Sequence, residues 1–387
     1  MPARIYLDNN ATTPLFPEVI ERMAEEFRCS FANPGSAHSF GREARRVLED
    51  CREQIAEFLD ADASEVIFTS GGTEAINMAV HGFTYGRTGV IALTAGEHPA
   101  TRMAVERARQ QGLRTLTLDV DAAGRLIPDQ LDSLPWNELR LVCVILAHNE
   151  TGVIQDTNRL AELCLQHRVP LLLDCVQAVG KIPVSFRRLK AAAISFGAHK
   201  FHGPRGIGGL LLRRGAKLVP FLEGGHQELG RRAGTEPVPL IAGMSTAIDL
   251  LNRNFTIEAV RISELRDQLQ TRLVNECGPA IVHGLEAERL PNTLSIAFPG
   301  IAGEPLLLNL HLAEVACSLG STCASGAAEP APALVAMGLP KDVCMSSLRL
   351  TLSQMTTAEE IDEAANRVIR VVRSMRSTPV TGSQKVV

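Results

Sequence analysis

The stretch VPLLLDCVQAVGKIPVSFRRLKAAAISFGAHKFHGPRGIGGLLLR, residues 169–213, contains three apolar runs separated by polar segments. The runs are VPLLLD (169–174), AAAISF (191–196) and GIGGLLLR (206–213). Continuous apolar runs of this length are typical of strands that a sheet buries on both faces. The stretch therefore predicts strands of one buried sheet, with Asp174 and Lys200 at or just past the carboxyl ends of two of them.

Similar runs precede this stretch and alternate with segments of helical periodicity. They are EVIFTS (65–70), GVIALT (89–94) and LRLVCVILA (139–147), and residues 36–59 have the spacing of a long amphipathic helix. The alternation predicts an α/β fold whose mostly parallel central sheet is covered by helices.

The pattern changes near residue 250. A predicted helix over 256–277, a strand over 291–298 and a final helix opened by a capping box at Thr357 and Glu360 indicate a smaller α+β domain. We expect the large domain at 13–252. The small domain would comprise 1–12 and 253–387, with a mobile loop at about 316–330.

The composition argues against several classes of function. The chain has 387 residues, a net charge of -4, a sequence pI of about 6.2 and 4% aromatic residues, so no nucleic-acid surface is predicted. No apolar run approaches the roughly 20 residues of a membrane span, and MPARIYLDNN lacks the apolar core of a secretion signal. We therefore expect a cytoplasmic protein that binds neither nucleic acid nor a membrane.

The nine cysteines include no C-x-x-C pair, so neither a zinc nor a redox motif is predicted, and no metal site is expected. Most lie in apolar stretches and are typical of buried thiols. Cys323 differs because it lies in ACSLGSTCASGAAEP (316–330), among small and polar residues. It is either a nucleophile on a mobile segment or a cysteine in an ordinary linker, and composition alone does not decide.

Asp174 and Lys200 are the two groups that pyridoxal 5'-phosphate requires. A lysine binds this cofactor covalently, and a carboxylate keeps its ring nitrogen protonated. The alternative is that Asp174 caps the end of a strand and Lys200 is a solvated surface lysine, because isolated pairs of an aspartate and a lysine are common. TSGGTEAIN (69–77) favours the cofactor, since Gly72 and Thr73 would offer N–H groups and a hydroxyl to a phosphate at a helix N-terminus.

Four further side chains are candidates, although each is weak alone. His98 in GEHPA would stack on a cofactor ring, and Asn149 in AHNETG would bind the ring or the substrate. Gln177 would donate to a ring oxygen. Arg349 in SSLRLTLS either forms a structural ion pair or binds a substrate carboxylate through two N–H groups of its guanidinium.

A series of motifs in a fixed order runs through nearly the whole chain. It comprises YLDNNATTP (6–14), NPGSAH (33–38), TSGGTEAIN (69–77), GEHPA (96–100), HNETG (148–152), LDCVQAVGK (173–181), AHKFHGPRGIG (198–208), GGHQELGRRAGTE (224–236), PNTLSIAF (291–298), GSTCASG (320–326) and LRLTLS (348–353). The series resembles the cysteine desulfurases, which are fold-type I pyridoxal-phosphate enzymes of the class V aminotransferase group. It is most similar to the branch used for nitrogenase and iron–sulfur cluster assembly.

The resemblance implies pyridoxal 5'-phosphate as the cofactor, with Lys200 as its covalent anchor. Asp174 would face the ring nitrogen, Gln177 the ring oxygen, and His98 would stack on the ring and handle protons. The phosphate would be bound by three residues, namely Thr73, His199 and, from the other subunit of a homodimer, Thr235. Gly197 stands where relatives usually carry a phosphate-binding serine.

The resemblance also implies a substrate and a partner. Asn149 and Arg349 would hold the carboxylate of L-cysteine, and Cys323 would take its sulfur as a persulfide. An acceptor or cluster-scaffold protein would then collect the sulfur, with L-alanine as the other product. The alternatives are another class V enzyme, such as an aminotransferase or a selenocysteine lyase, and a cofactor-binding homologue that serves as a partner scaffold without turnover.

Overall fold

A computed structural model describes residues 4–324 and 327–377. For residues 321–324 and 327–328 it describes only the backbone. Its helices are α1 (Pro17–Cys29), α2 (Ser39–Phe58), α3 (Gly72–Thr84), α4 (Pro99–Gln110), α5 (Asn158–His167), α6 (Phe186–Leu189), α7 (Val238–Arg253), α8 (Phe255–Glu276), α9 (Gly303–Leu312), α10 (Pro332–Ala336), α11 (Lys341–Met345) and α12 (Ala358–Ser377). Its strands are β1 (Ile5–Tyr6), β2 (Val66–Thr69), β3 (Val90–Thr94), β4 (Arg114–Leu118), β5 (Leu139–Ile145), β6 (Leu171–Asp174), β7 (Ala193–Gly197), β8 (Gly208–Leu212), β9 (Ile281–Val282), β10 (Thr293–Ala297), β11 (Val315–Ala316), β12 (Ser318–Leu319), β13 (Ser321–Ala324), β14 (Ala327–Pro330) and β15 (Ser347–Thr351).

The central sheet has the strand order β2-β8-β7-β6-β5-β3-β4. Strands β3 to β7 pair in parallel, whereas β8 is antiparallel to both β2 and β7. Each of the six apolar runs quoted above contains one of its strands, so the predicted α/β fold with a mostly parallel sheet is confirmed. The sequence did not predict β4, because this edge strand alternates polar and apolar residues and is largely exposed.

The topology brings the carboxyl ends of six strands, β2 to β7, to one edge of the sheet. Since β2 and β7 are both antiparallel to β8, they run in the same direction, and β3 to β6 run parallel to β7. Helices α1, α2 and α7 pack against one face of the sheet, and α3 and α4 against the other. Ligand sites in open α/β sheets lie at this edge, outside the carboxyl ends of the strands.

The C-terminal part forms a second hydrophobic core around an antiparallel sheet of order β12-β15-β10-β9. Helices α8, α9 and α12 contribute to this core, and the parallel pairing of β1 with β11 adds the N-terminal Ile5 and Leu7 to it. The predicted capping box is confirmed, because Glu360 N donates to Thr357 Oγ1 at 3.2 Å and Thr357 N donates to Glu360 Oε2 at 3.0 Å. The domain boundaries at 12/13 and 252/253 stay predictions.

The segment 316–330, which we expected to be a mobile loop, contains short strands. Strands β13 and β14 pair antiparallel, with Cys323 opposite Ala328. Residues 325–326 and the side chain of Cys323 lie outside the described residues, and mobility stays a prediction. Within 4–324 and 327–377, no helix combines the length and apolar content needed to cross a membrane.

Candidate active site

A cleft of about 320 Å³ opens at the carboxyl edge of the central sheet. Its lining includes nine of the predicted site residues, which are Gly72, Thr73, His98, Asn149, Asp174, Gln177, His199, Lys200 and Arg349. They come from separate motifs spread over nearly 280 residues of sequence, and the fold brings them together because most follow the ends of neighbouring strands. The cleft is also lined by residues that the sequence did not single out, namely Asn10, Ala11, Ile76, Ala100, Ile145 and Val176.

Lys200 ends a short 3-10 turn that follows β7. Its Nζ donates to the backbone oxygens of Asn10 at 2.7 Å and Ala11 at 2.8 Å. Burial, followed by the cation of Arg349, lowers the pKa of this amine from its usual 10.5 to about 8. A substantial fraction of Lys200 is therefore a neutral, nucleophilic amine near neutral pH.

Asp174 is the last residue of β6 and is 5% exposed. Its Oδ1 accepts hydrogen bonds from Val176 N at 2.9 Å and Ser195 Oγ at 3.3 Å. Burial raises the pKa of this carboxyl, and it forms no ion pair with any residue that the structure describes. A buried carboxylate that forms no salt bridge with the nearby Lys200 fits a ligand that supplies a positively charged nitrogen.

The N-terminus of α3 forms another wall of the cleft. Gly72 has no room for a side chain, because a Cβ atom there would lie 2.4 Å from Val176 Cγ2. The backbone N–H groups of this helical turn are thus exposed to an anion, together with the Thr73 hydroxyl. His199 lies nearby with its Nδ1 3.3 Å from Thr12 Oγ1, and burial and Lys200 lower its pKa to about 4.

His98 is the N-cap of α4, and its Nδ1 accepts from Ala100 N at 3.1 Å. Burial, followed by the charge of Lys200, lowers the pKa of the imidazole to about 4. The ring is therefore neutral at physiological pH, and since Nδ1 accepts, its proton is on Nε2. His98 thus offers the cleft a flat neutral ring with one N–H donor.

Arg349 lies on β15 and extends into the cleft from the small domain's sheet. Its Nη2 donates to Asp8 Oδ1 at 2.8 Å and Ser318 Oγ at 3.1 Å, and its Nη1 donates to Asn149 O at 3.2 Å. Its buried Nε has no acceptor among the described residues. Arg349 therefore forms a structural ion pair, with an Asp8 that the sequence analysis missed, and still has a spare donor.

Of the two remaining predicted residues, Thr235 and Cys323, only Thr235 has a described side chain. Thr235 is exposed and follows Arg232, whose Nε donates to Glu74 Oε1 of α3 at 2.8 Å. The segment of Thr235 is thus tied to the α3 side of the cleft, but Thr235 itself does not line the cleft within one chain. The thiol of Cys323 lies outside the described residues.

These features fit pyridoxal 5'-phosphate. The cleft offers a lysine of lowered pKa for the aldehyde of the cofactor and a buried carboxylate without a salt bridge for its protonated ring nitrogen. It also offers a helix N-terminus that excludes a side chain, which suits the phosphate. Within the described ranges, no group of three or more His, Cys, Asp or Glu side chains could hold a metal ion.

Comparison with known proteins gives consistent matches over almost the whole chain. The model of the class V aminotransferase family matches residues 5–364. Cysteine desulfurase IscS of Dictyoglomus turgidum is 37% identical over 380 residues, covering 97% of this chain and 96% of the relative. Cysteine desulfurase NifS of Azotobacter vinelandii is 37% identical over 378 residues, covering 97% and 94%. The solved structure of a NifS-like protein superposes with a TM-score of 0.89 at 32% identity, covering 96% of this chain and 100% of that one.

Proposed function

This chain belongs to the cysteine desulfurases of the class V aminotransferase family, whose members depend on pyridoxal 5'-phosphate, and we propose that it converts L-cysteine to L-alanine while Cys323 receives the sulfur. The observation that carries the proposal is the cleft itself. It holds a lysine of lowered pKa, a buried carboxylate without a salt bridge and an arginine within one cavity.

We assign the cofactor contacts from the walls of the cleft. Lys200 would be the covalent anchor, Asp174 would face the ring nitrogen, and Gln177 would donate to the ring oxygen. The N-terminus of α3 would hold the phosphate, with donors from Gly72, Thr73 and His199. When bound, the cofactor supplies an electron sink that stabilises negative charge on the Cα of an amino-acid substrate.

Arg349 and Asn149 bind the carboxylate of L-cysteine in this proposal. The position of Arg349 in the lining of the cleft supports this role, and Asp8 holds the guanidinium in place through the 2.8 Å contact. Lys200 Nζ then takes the Cα proton, because its pKa of about 8 suits a base at neutral pH. The neutral ring of His98, which lines the cleft, would stack on the cofactor, and its Nε2–H would assist proton transfer.

The sulfur step balances without an external oxidant. The Cys323 thiolate attacks the sulfur of the substrate, so an S–S bond forms and the Cβ–S bond of the substrate breaks. The three-carbon fragment keeps the electron pair, gains a proton and leaves as L-alanine, and the enzyme keeps a persulfide. An acceptor protein, such as a scaffold for iron–sulfur clusters, then removes the outer sulfur by thiol exchange.

A homodimer completes the phosphate site, with the partner subunit's Thr235 as an added donor. Leu229, six residues before Thr235, supports such an interface because it is 77% exposed in a left-handed conformation, with φ of 57°. The preceding Glu228 is held by Arg52 at 2.8 Å, so this unfavourable conformation is fixed in place.

We also propose a cytoplasmic location. The cysteines with described side chains are free thiols, which a reducing compartment maintains.

The test is incubation of the purified protein with L-cysteine, with alanine, sulfide and protein persulfide measured together. Alanine should form in proportion to sulfide when a thiol reductant is present. Lys200→Ala should abolish it, and Lys217→Ala, which changes an exposed lysine, should not. Pyruvate or glutamate-dependent transamination without sulfide would show an aminotransferase instead, and cofactor binding without any turnover would indicate a scaffold.

A further inference from the structure

A second lysine lies beside the cleft without lining it. Lys181 follows Gln177 by four residues, and its Nζ donates to Asn10 Oδ1 at 2.7 Å and to the amide oxygen Oε1 of Gln177. It lines instead a neighbouring cavity of about 30 Å³, together with Thr13, Asn292 and Lys200. Lys181 therefore reaches the cleft through the residues that it contacts.

The contacts of Lys181 form part of a closed network around Asn10. Gln177 Nε2 donates to the backbone oxygen of Asn10 at 2.9 Å, and that same oxygen accepts from Lys200 Nζ at 2.7 Å. The side chain of Asn10 is fixed in turn, since its Nδ2 donates to Asn149 O and its Oδ1 accepts from Asn292 Nδ2 at 3.1 Å. The network thus links Lys181 to Gln177 and to the covalent anchor.

The amine of Lys181 and the backbone oxygen of Asn10 together determine how the Gln177 amide is turned. An amine that donates to two oxygens requires the oxygen of Gln177, not its NH₂ group, at the contact. A flipped amide would bring two donors together and lose a hydrogen bond in a buried environment, where an unsatisfied donor is costly. Gln177 is 4% exposed, so water offers no replacement.

We propose that Lys181 is a positioning residue, which holds the oxygen of the Gln177 amide and so keeps Nε2 available as the donor to the cofactor's ring oxygen. The inference rests on the proposed role of Gln177. It assigns to Lys181 no contact with cofactor or substrate. Its effect should therefore appear in the recognition of one cofactor atom rather than in the cofactor's general affinity.

The test compares the binding of pyridoxal 5'-phosphate with that of the analogue that has hydrogen in place of the ring hydroxyl. Dissociation constants of both are measured by dialysis for the wild type, Lys181→Met, Gln177→Leu and the double variant. Loss of one hydrogen bond in a buried site should reduce the preference for the natural cofactor about tenfold in Gln177→Leu. Lys181→Met should show part of this reduction, because the contact of Gln177 Nε2 with Asn10 O remains, and the double variant should show no more than Gln177→Leu.

Three further variants separate positioning from a general structural effect. Lys181→Arg keeps a donor and should retain most of the preference, whereas Lys181→Leu, which has no donor, should lose as much as Lys181→Met does. Lys217→Met changes an exposed lysine to the same residue and should leave both constants unaltered. Weaker binding of both compounds by one common factor, or wild-type preference in Lys181→Met and Lys181→Leu, would overturn the inference. Wild-type preference in Gln177→Leu would instead remove the proposed role of Gln177 itself, and the inference with it.

Discussion

Replacing Gly72 by alanine tests the shape of the phosphate end of the cleft. The added methyl group would lie 2.4 Å from Val176 Cγ2, where ordinary carbon contacts are about 3.5–4.0 Å, so Val176 or the start of α3 must move. Because Val176 also lines the cleft, we expect its displacement to narrow the space for the cofactor. Overpacking of this kind costs about 1–3 kcal/mol, which corresponds to a roughly 5- to 150-fold weaker affinity for pyridoxal 5'-phosphate.

Titration of the cofactor-free protein with pyridoxal 5'-phosphate measures this affinity directly. Gly72→Ala should still fold, since alanine is a better helix former than glycine and the position needs no left-handed conformation. Val176→Ala removes the obstructing methyl groups, so Gly72→Ala/Val176→Ala should recover most of the lost affinity, with Val176→Ala alone as the control. Wild-type affinity in Gly72→Ala, or no recovery in the double variant, would refute the steric reasoning.

Three further expectations concern charge, anchoring and assembly. The rate at which cofactor-free protein binds the cofactor covalently should rise with pH through about 8, because the neutral amine of Lys200 reacts and its pKa is lowered to that value. Arg349→Met should move the midpoint of this pH dependence upward. A midpoint near 10.5 in the wild type would contradict the burial argument. Asp174→Ala should shift the absorbance of the bound cofactor and slow turnover by orders of magnitude while leaving the covalent link at Lys200 intact, and an unchanged pH titration of that absorbance would argue against a contact with the ring nitrogen. Thr235→Ala should weaken cofactor retention by about 1.5–3 kcal/mol, and mixing it with Lys200→Ala should restore activity through heterodimers that contain one intact site; a fully active monomer would exclude this arrangement.

The sequence predicted the sheet and most of the cleft because both depend on local patterns. Apolar runs identified six strands of the central sheet, and the polar residues that follow strand ends, such as His98, Asn149 and Lys200, line one cavity in the structure. The rule that carboxyl ends of parallel strands share an edge is sufficient for this prediction. Strand β4 was missed because its exposed edge position gives it the alternating pattern of a surface segment.

Other parts of the site depend on contacts between distant segments. Asn10 meets Lys200 across 190 positions and Asp8 meets Arg349 across 341, and no periodicity reports such a pairing. Lys181 was quoted within LDCVQAVGK, yet a lysine one turn after Gln177 is typical of a solvated surface until its contacts with Asn10 and Gln177 are known. Thr235 was predicted from the resemblance alone, and its proposed role cannot be seen in a single chain because it requires a second copy.

The most direct test of the proposed function follows the sulfur atom from substrate to Cys323. The protein is incubated with one equivalent of L-cysteine and no reductant, then digested, and the peptide that carries Cys323 is weighed by mass spectrometry while alanine is counted. We expect this peptide to gain the mass of one sulfur atom in step with alanine release, and we expect Cys323→Ser to bind L-cysteine but yield neither product at a useful rate. Alanine formation at the wild-type rate in Cys323→Ser, or a persulfide on another cysteine alone, would contradict the proposed path of sulfur.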